Sequence, residues 1–123
     1  MKSRKASVKN GKLETLVGEF TEINGTLKSA ASIRVDGKIY GNIECSGDVT
    51  IGDTGWAVSN ITARNLTIFG TVEGNVKVSG KLTIGENGRL IGNHTSATIQ
   101  ILKGGVVLGM RTVVGREGIA DSP

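Results

Sequence analysis

The chain has 123 residues, room for one domain, and its 19 glycines, single proline and only four aromatic residues argue against a core built on large rings. The net charge of +4 does not mark a nucleic-acid binder: Lys2, Arg4, Lys5, Lys9 and Lys12 precede the first acidic residue, and from Leu13 to Pro123 ten bases balance eleven acids. The lone cysteine, Cys45, excludes an internal disulfide, and no run of 18 apolar residues is present to cross a bilayer as a helix. No apolar h-region follows Met1, and Lys2 stands where myristoylation needs glycine, so a cytoplasmic protein is expected.

Taken in chain order, residues 1–13 lack apolar periodicity and are expected to form a disordered basic tail. From about residue 14 onward the pattern becomes strict. Residues 33–52 align on 66–85 with eight identities, and six of the other twelve positions exchange one apolar residue for another. The period halves again: Ile33, Val49, Leu66, Leu82 and Ile99 form one column at steps of 16 or 17, and Val35, Ile51, Ile68, Ile84 and Ile101 form a second in step with it. Within each unit apolar residues alternate with polar ones, which is strand periodicity with one face buried. Short strands parted by glycine or Asx corners cannot pair as hairpins and keep a constant step. They must wind. The expectation is an all-β, single-domain parallel β-helix over residues 14–114, with about six turns of 16–17 residues rising about 4.8 Å each.

The register extends backward to a turn holding Val17, Ile23 and Leu27 and forward to one begun by Ile99, Ile101 and Val106. Asn42, Asn60, Asn75 and Asn93 recur just before inward positions and are expected to stack as a corner ladder. The longer corner of IGDTGWAVSN relative to VDGKIYGN marks where alternate turns bulge. Residues 115–123 lack the pattern and are expected to be a second disordered tail.

Candidate chemistry is sparse. His94, the lone histidine, shares a column with Ile43, Ile61 and Val76, with no nucleophile or orienting carboxylate beside it. Cys45 shares a column with Ala63, Val78 and Ser96, the setting of a buried inert thiol. No phosphate-loop, CxxC or HExxH pattern occurs, so no catalytic residue, cofactor, metal or nucleotide site is expected. A hexapeptide-type acyltransferase needs a sixfold register that the 16–17 step breaks. Ice-binding ranks need paired threonines, whereas Thr50, Thr67 and Thr83 form a single outward column ended by Arg34 and Gln100.

The ends of the stack carry the functional signal. A monomeric solenoid must cap its terminal turns, whereas this chain is apolar there, with Leu16, Val17, Phe20 and Ile23 at one end and Val106, Val107, Leu108, Met110, Val113 and Val114 at the other. Another copy of the chain is the expected cap, giving end-to-end filaments without nucleotide. The alternative is a non-polymerising solenoid that docks a protein or carbohydrate on its flat faces. Five basic tail residues at about 1 kcal/mol each supply at most about 5 kcal/mol toward an anionic membrane, so attachment would depend on the avidity of a filament.

The stretches IRVDGKIYGNI, DVTIG, ITARNLTIFGTVEGNV and LTIGENGRLIGN, in that order and spacing, resemble the bactofilins, a family of bacterial cytoskeletal proteins. The resemblance covers about residues 15–114. It implies a right-handed β-helix between disordered tails and non-polar, nucleotide-independent filaments joined through like ends. It also implies membrane association at the inner face and scaffolding of cell-shape or cell-wall proteins.

Overall fold

The computed structural model describes residues 6–9 and 12–113, with side chains from Thr15 to Arg111. All regular structure among them is strand. β1 (Ala6–Lys9) precedes six coils. Coil 1 holds β2 (Lys12–Val17) and β3 (Glu22–Ser29), coil 2 holds β4 (Ser32–Val35) and β5 (Lys38–Cys45), and coil 3 holds β6 (Asp48–Ile51) and β7 (Trp56–Ala63). In later coils the second strand divides. Coil 4 is β8 (Asn65–Ile68), β9 (Thr71–Glu73) and β10 (Val76–Val78), and coil 5 is β11 (Lys81–Ile84), β12 (Arg89–Ile91) and β13 (His94–Ser96). Coil 6 is β14 (Thr98–Ile101), β15 (Val106–Leu108) and β16 (Arg111–Val113).

Each coil has three faces, and every strand from β2 onward pairs in parallel with its equivalent one coil away. The first face is β2-β4-β6-β8-β11-β14. The second is formed by the leading halves of β3, β5 and β7 and then by β9, β12 and β15; their trailing halves with β10, β13 and β16 form the third. This is the expected β-solenoid of about six turns. The apolar columns stack in the expected register, Ile33 on Val49, Leu66, Leu82 and Ile99, and Val35 on Ile51, Ile68, Ile84 and Ile101.

Alternation decides what is inside. β7 runs exposed-buried through all eight positions, placing Ala57, Ser59, Ile61 and Ala63 in the core. The buried apolar set is aliphatic apart from Cys45, and Phe20, Tyr40, Trp56 and Phe69 all stand exposed. A lumen bounded by sheets about 10 Å apart suits Ile, Leu and Val better than the large rings of Phe, Tyr and Trp, which accounts for the composition.

The corners explain the uneven spacing. Between the first and second faces, coils 1, 3, 5 and 6 carry four-residue corners, each closed by a turn bond such as Gly55 N–H to the Gly52 carbonyl (2.8 Å) or Gly88 N–H to the Gly85 carbonyl (3.0 Å). Coils 2 and 4 turn in two residues, Asp36–Gly37 and Phe69–Gly70. The bulge therefore alternates as expected through coil 5, and coil 6 departs from the alternation by repeating the four-residue corner of coil 5. The corner between the second and third faces is a glycine column, Gly25, Gly41, Gly74, Gly92 and Gly109, all at positive φ. At Gly74 and Gly92 a side-chain carbon would also collide with the carbonyl of the residue one coil below, Ser59 and Gly74 respectively. Coil 3 substitutes Ser59, whose hydroxyl turns inward and donates to the Ile39 carbonyl at 3.3 Å.

One departure concerns the N-terminus. Residues 6–9, placed by the sequence in a disordered tail, form β1, antiparallel to β2 with Lys9 opposite Lys12 and Val8 opposite Leu13. Residues 114–123, and with them the expected C-terminal tail, lie outside the described residues.

Candidate assembly interface

The two ends of the stack differ. At the N-terminal end β1 covers the first-face edge of β2, so the expectation of an end without any cap of its own is corrected there. The edge of β3, which spans the other two faces, has no strand beyond it among the described residues. Val17, expected at the open end, is fully buried in the column of Val35. Leu16 points outward in register with Arg34, and Ile23 is half-buried against the core. Phe20 sits at the tip of the first corner and is 97 % exposed.

The C-terminal end is open among the described residues. Along one inward column Val17, Val35, Ile51, Ile68 and Ile84 are each 0 % exposed, whereas Ile101, the last member, is 50 % exposed. No strand pairs beyond β14, β15 or β16 among the described residues. Val106, expected to open the last turn as an inward residue, points outward; Val107, aligned with Leu90, packs against the core in its place. Leu108 and Met110 are 57 % and 73 % exposed. Val113 pairs with Ser96, and Val114 lies outside the described residues. Of the basic residues considered for membrane contact, Lys2, Arg4 and Lys5 also lie outside, while Lys9 and Lys12 flank the β1–β2 connection.

Apart from Ser59 in coil 3, the buried polar side chains among the described residues, His94 and Ser96, lie in coil 5 near this open end. His94 follows Ile61 and Val76 in an inward column that ends at Arg111, and its Nδ1 finds no hydrogen-bond partner among the described residues. Burial lowers its pKa from the ordinary 6.5, the nearby Arg111 charge lowers it further, and the backbone at Gly92 acts in the opposite sense. The Ser96 hydroxyl beside it is also buried without a partner. Cys45 donates to the Ala31 carbonyl at 2.7 Å, and burial raises its pKa, which suits a structural thiol better than a reactive one.

The asparagine column lies at the exposed corner after the glycines. Asn42 pairs with Asn60 in register. The ladder works by side chain to backbone: Asn60 Oδ1 accepts from the Asn75 N–H and Asn93 Oδ1 from the Met110 N–H, both at 3.1 Å.

The three outer faces are unlike. The first shows Arg34, Thr50, Thr67, Thr83 and Gln100 in register, with the Arg34–Asp36 pair at 3.1 Å. The third shows Lys28, Glu44, Thr62, Lys77 and Thr95. The second is apolar along much of its length. Trp56 is packed there from both sides, with Lys38 Nζ 5.8 Å from the ring centroid and the indole N–H donating to Glu73 Oε2 at 3.1 Å. Among the described residues no group of three or more His, Cys, Asp or Glu is placed to hold a metal, and no helix is long and apolar enough to cross a membrane.

These features define a β-solenoid with unpaired terminal edges among the described residues. The chain belongs to the bactofilins, polymer-forming cytoskeletal proteins, whose family model matches residues 15–112. Its fold is similar to that of a Thermus thermophilus bactofilin seen in a cryo-EM reconstruction of double helical filaments, at 24 % identity and a TM-score of 0.75, covering 80 % of this chain and 98 % of the other. No curated protein sequence matches the chain.

Proposed function

We propose that the protein is a filament subunit that stacks end to end through its terminal coils, without nucleotide, and that the filaments scaffold proteins of cell shape or cell-wall synthesis at the inner membrane face. The observation that carries this reading is the open core at coil 6: Ile101 is half exposed in a column whose other members are sealed, beside unpaired edges of β14, β15 and β16. Unpaired strand edges next to exposed apolar side chains are what a second coil satisfies, by backbone hydrogen bonds and by burial together. The Thermus relative's filaments support it.

The difference between the ends favours joints between like ends. β1 occupies part of the N-terminal edge, so a C-terminal end meeting an N-terminal one finds that edge partly taken, whereas two C-terminal ends meet with no strand already on their edges among the described residues. Membrane attachment through the basic N-terminal residues is part of the proposal and would require many subunits in one polymer. Sedimentation and negative-stain microscopy of purified protein without nucleotide test the reading. Filaments are expected at micromolar protein, and soluble monomer at tens of micromolar overturns it.

A further inference from the structure

One inward column breaks the rule that the others keep. From coil 1 to coil 6 it reads Leu27, Ile43, Ile61, Val76, His94 and Arg111, so its aliphatic run ends in an imidazole and a guanidinium. His94 is 3 % exposed and its Nδ1 has no hydrogen-bond partner among the described residues; the Ser96 hydroxyl on the same strand is fully buried and has none either. Buried polar groups in folded proteins are nearly always satisfied, so two on one strand mark a place where the fold gives up stability. That strand, β13, lies directly under the terminal coil. Coil 6 is held from one side only among the described residues: the Leu102 and Val106 N–H groups donate to the Ile84 and Gly88 carbonyls at 2.8 and 2.9 Å, and the Gly92 and His94 N–H groups to the Leu108 and Met110 carbonyls at 2.7 and 2.9 Å.

We propose that His94 is a proton-operated latch on coil 6: when the imidazole takes a proton, coil 6 lifts from coil 5 and removes the surface through which subunits join. The inference rests on the filament reading above. The surroundings of the ring give its charged form nothing to pair with. β16 sets Arg111 over it, and β10 sets Val76 beneath it with Lys77 turned outward. Across the lumen β11 and β12 turn Leu82, Ile84 and Leu90 inward and Lys81 and Arg89 outward, while β14 and β15 carry no charged side chain. One cation therefore faces the ring, and no carboxylate does among the described residues. Two cations in an apolar lumen are relieved by admitting water, and coil 6 is the wall with no further coil behind it. A second copy seated on coil 6 opposes its release, so proton and partner compete for the same coil.

The direction and size of the response follow from linkage. Burial holds the imidazole below its ordinary 6.5, the Arg111 charge acts in the same sense, and lifting coil 6 returns the ring to water. The released form therefore binds the proton first, and release is favoured as pH falls through 6.5. From pH 7.5 to pH 5.5 one such group favours release by at most about tenfold. Coils 2 to 4 surround the same column with Ile43, Ile61 and Val76, so they supply an internal reference.

Amide hydrogen exchange at pH 7.5 and 5.5, normalised to the intrinsic chemical rate and run below the assembly concentration, reads the latch. The Gly92, His94, Leu102 and Val106 amides report on coil 6, and the Phe69 amide, bonded to the Ile51 carbonyl, is the reference. Pelleting at the same two pH values gives the critical concentration. In the wild type, acid is expected to raise exchange at coil 6 about five- to tenfold, leave Phe69 unchanged and raise the critical concentration. His94→Val, which copies Val76, should abolish both responses. Combining it with Thr95→His, which moves the ring to the outer side of the same strand, should not bring them back. Arg111→Gln keeps the histidine and removes the charge over it, and should shrink the exchange response at least about twofold. Circular dichroism checks that each variant keeps its β-rich spectrum. Wild-type exchange at coil 6 that ignores pH, or a response that survives His94→Val, overturns the latch. So does a critical concentration that stays put while coil 6 opens, which would separate release from assembly. Absence of filaments at both pH values would overturn the polymer reading, while exchange at coil 6 would still decide whether His94 controls that coil.

Discussion

Truncating Ile101 to alanine tests the open end of the core most directly. Full burial of an isoleucine is worth about 1.5–3 kcal/mol, and Ile101 is already half buried within its own chain. The half left for a neighbour is therefore worth about 1 kcal/mol per copy. A joint between two C-terminal ends contains two such side chains and loses about 2 kcal/mol, about a 30-fold weakening; a head-to-tail joint contains one and loses about fivefold. A like-end filament has one such joint for every two subunits, so either geometry loses about 1 kcal/mol per subunit. Pelleting across a concentration series gives the critical concentration, which is expected to rise about fivefold with a cooperative thermal transition retained. A critical concentration unchanged from wild type would show that Ile101 is not at the joint and remove the main support for assembly through coil 6.

Three further outcomes follow from the same structure. Phe20→Ser should leave thermal stability within about 0.5 kcal/mol, because the side chain is 97 % exposed, yet weaken joints at the N-terminal end, seen as filaments shortened to short oligomers at fixed concentration. His94 has its pKa lowered in the folded state, so the unfolded chain binds the proton first and stability falls as pH drops below about 6.5 toward the folded value. His94→Val, which copies Val76 in the same column, should flatten that acid dependence in thermal melts and stabilise the fold at pH 6. Replacing Lys2, Arg4 and Lys5 with serine should reduce co-sedimentation of filaments with anionic liposomes and steepen its loss with salt; unchanged liposome binding would dissociate the tail from the membrane.

The interior was legible because it obeys one rule. Each inward position must be aliphatic and must sit over its equivalent, so Ile33 through Ile99 and Val35 through Ile101 could be read as columns before any strand was placed. Coil 1 followed from the same register, since Val17, Ile23 and Leu27 take the places of Ile51, Ala57 and Ile61. Errors arose where the rule weakens. The last coil is apolar on both faces, so Val106 and Val107 could not be told apart by alternation, and only pairing with Arg89 and Leu90 assigns the inward one. β1 was missed although the Asn10–Gly11 dipeptide between Lys9 and Lys12 is a strong hairpin signal; the charge of the segment obscured it. The glycine corner was hidden because Ser59 interrupts it. The apolar second face was the hardest to see. Its outward residues come into line only after the 18- and 15-residue steps caused by the alternating corners are known.

Those alternating corners also set how the subunit can change in length. One long-cornered and one short-cornered coil together make a 33-residue module, and successive modules present nearly the same upper and lower surfaces. Gain or loss of a whole module would lengthen or shorten the brick by about 10 Å and leave both mating ends as they are. Half a module changes the stacking of corners: loss of coil 4 would set a long corner on a long one, as coils 5 and 6 already do, whereas loss of coil 3 would set a short corner on a short one, which occurs nowhere among the described coils. Whole pairs of coils are thus the step in which duplication retunes the axial spacing of anything carried along such a polymer without altering the corner pattern.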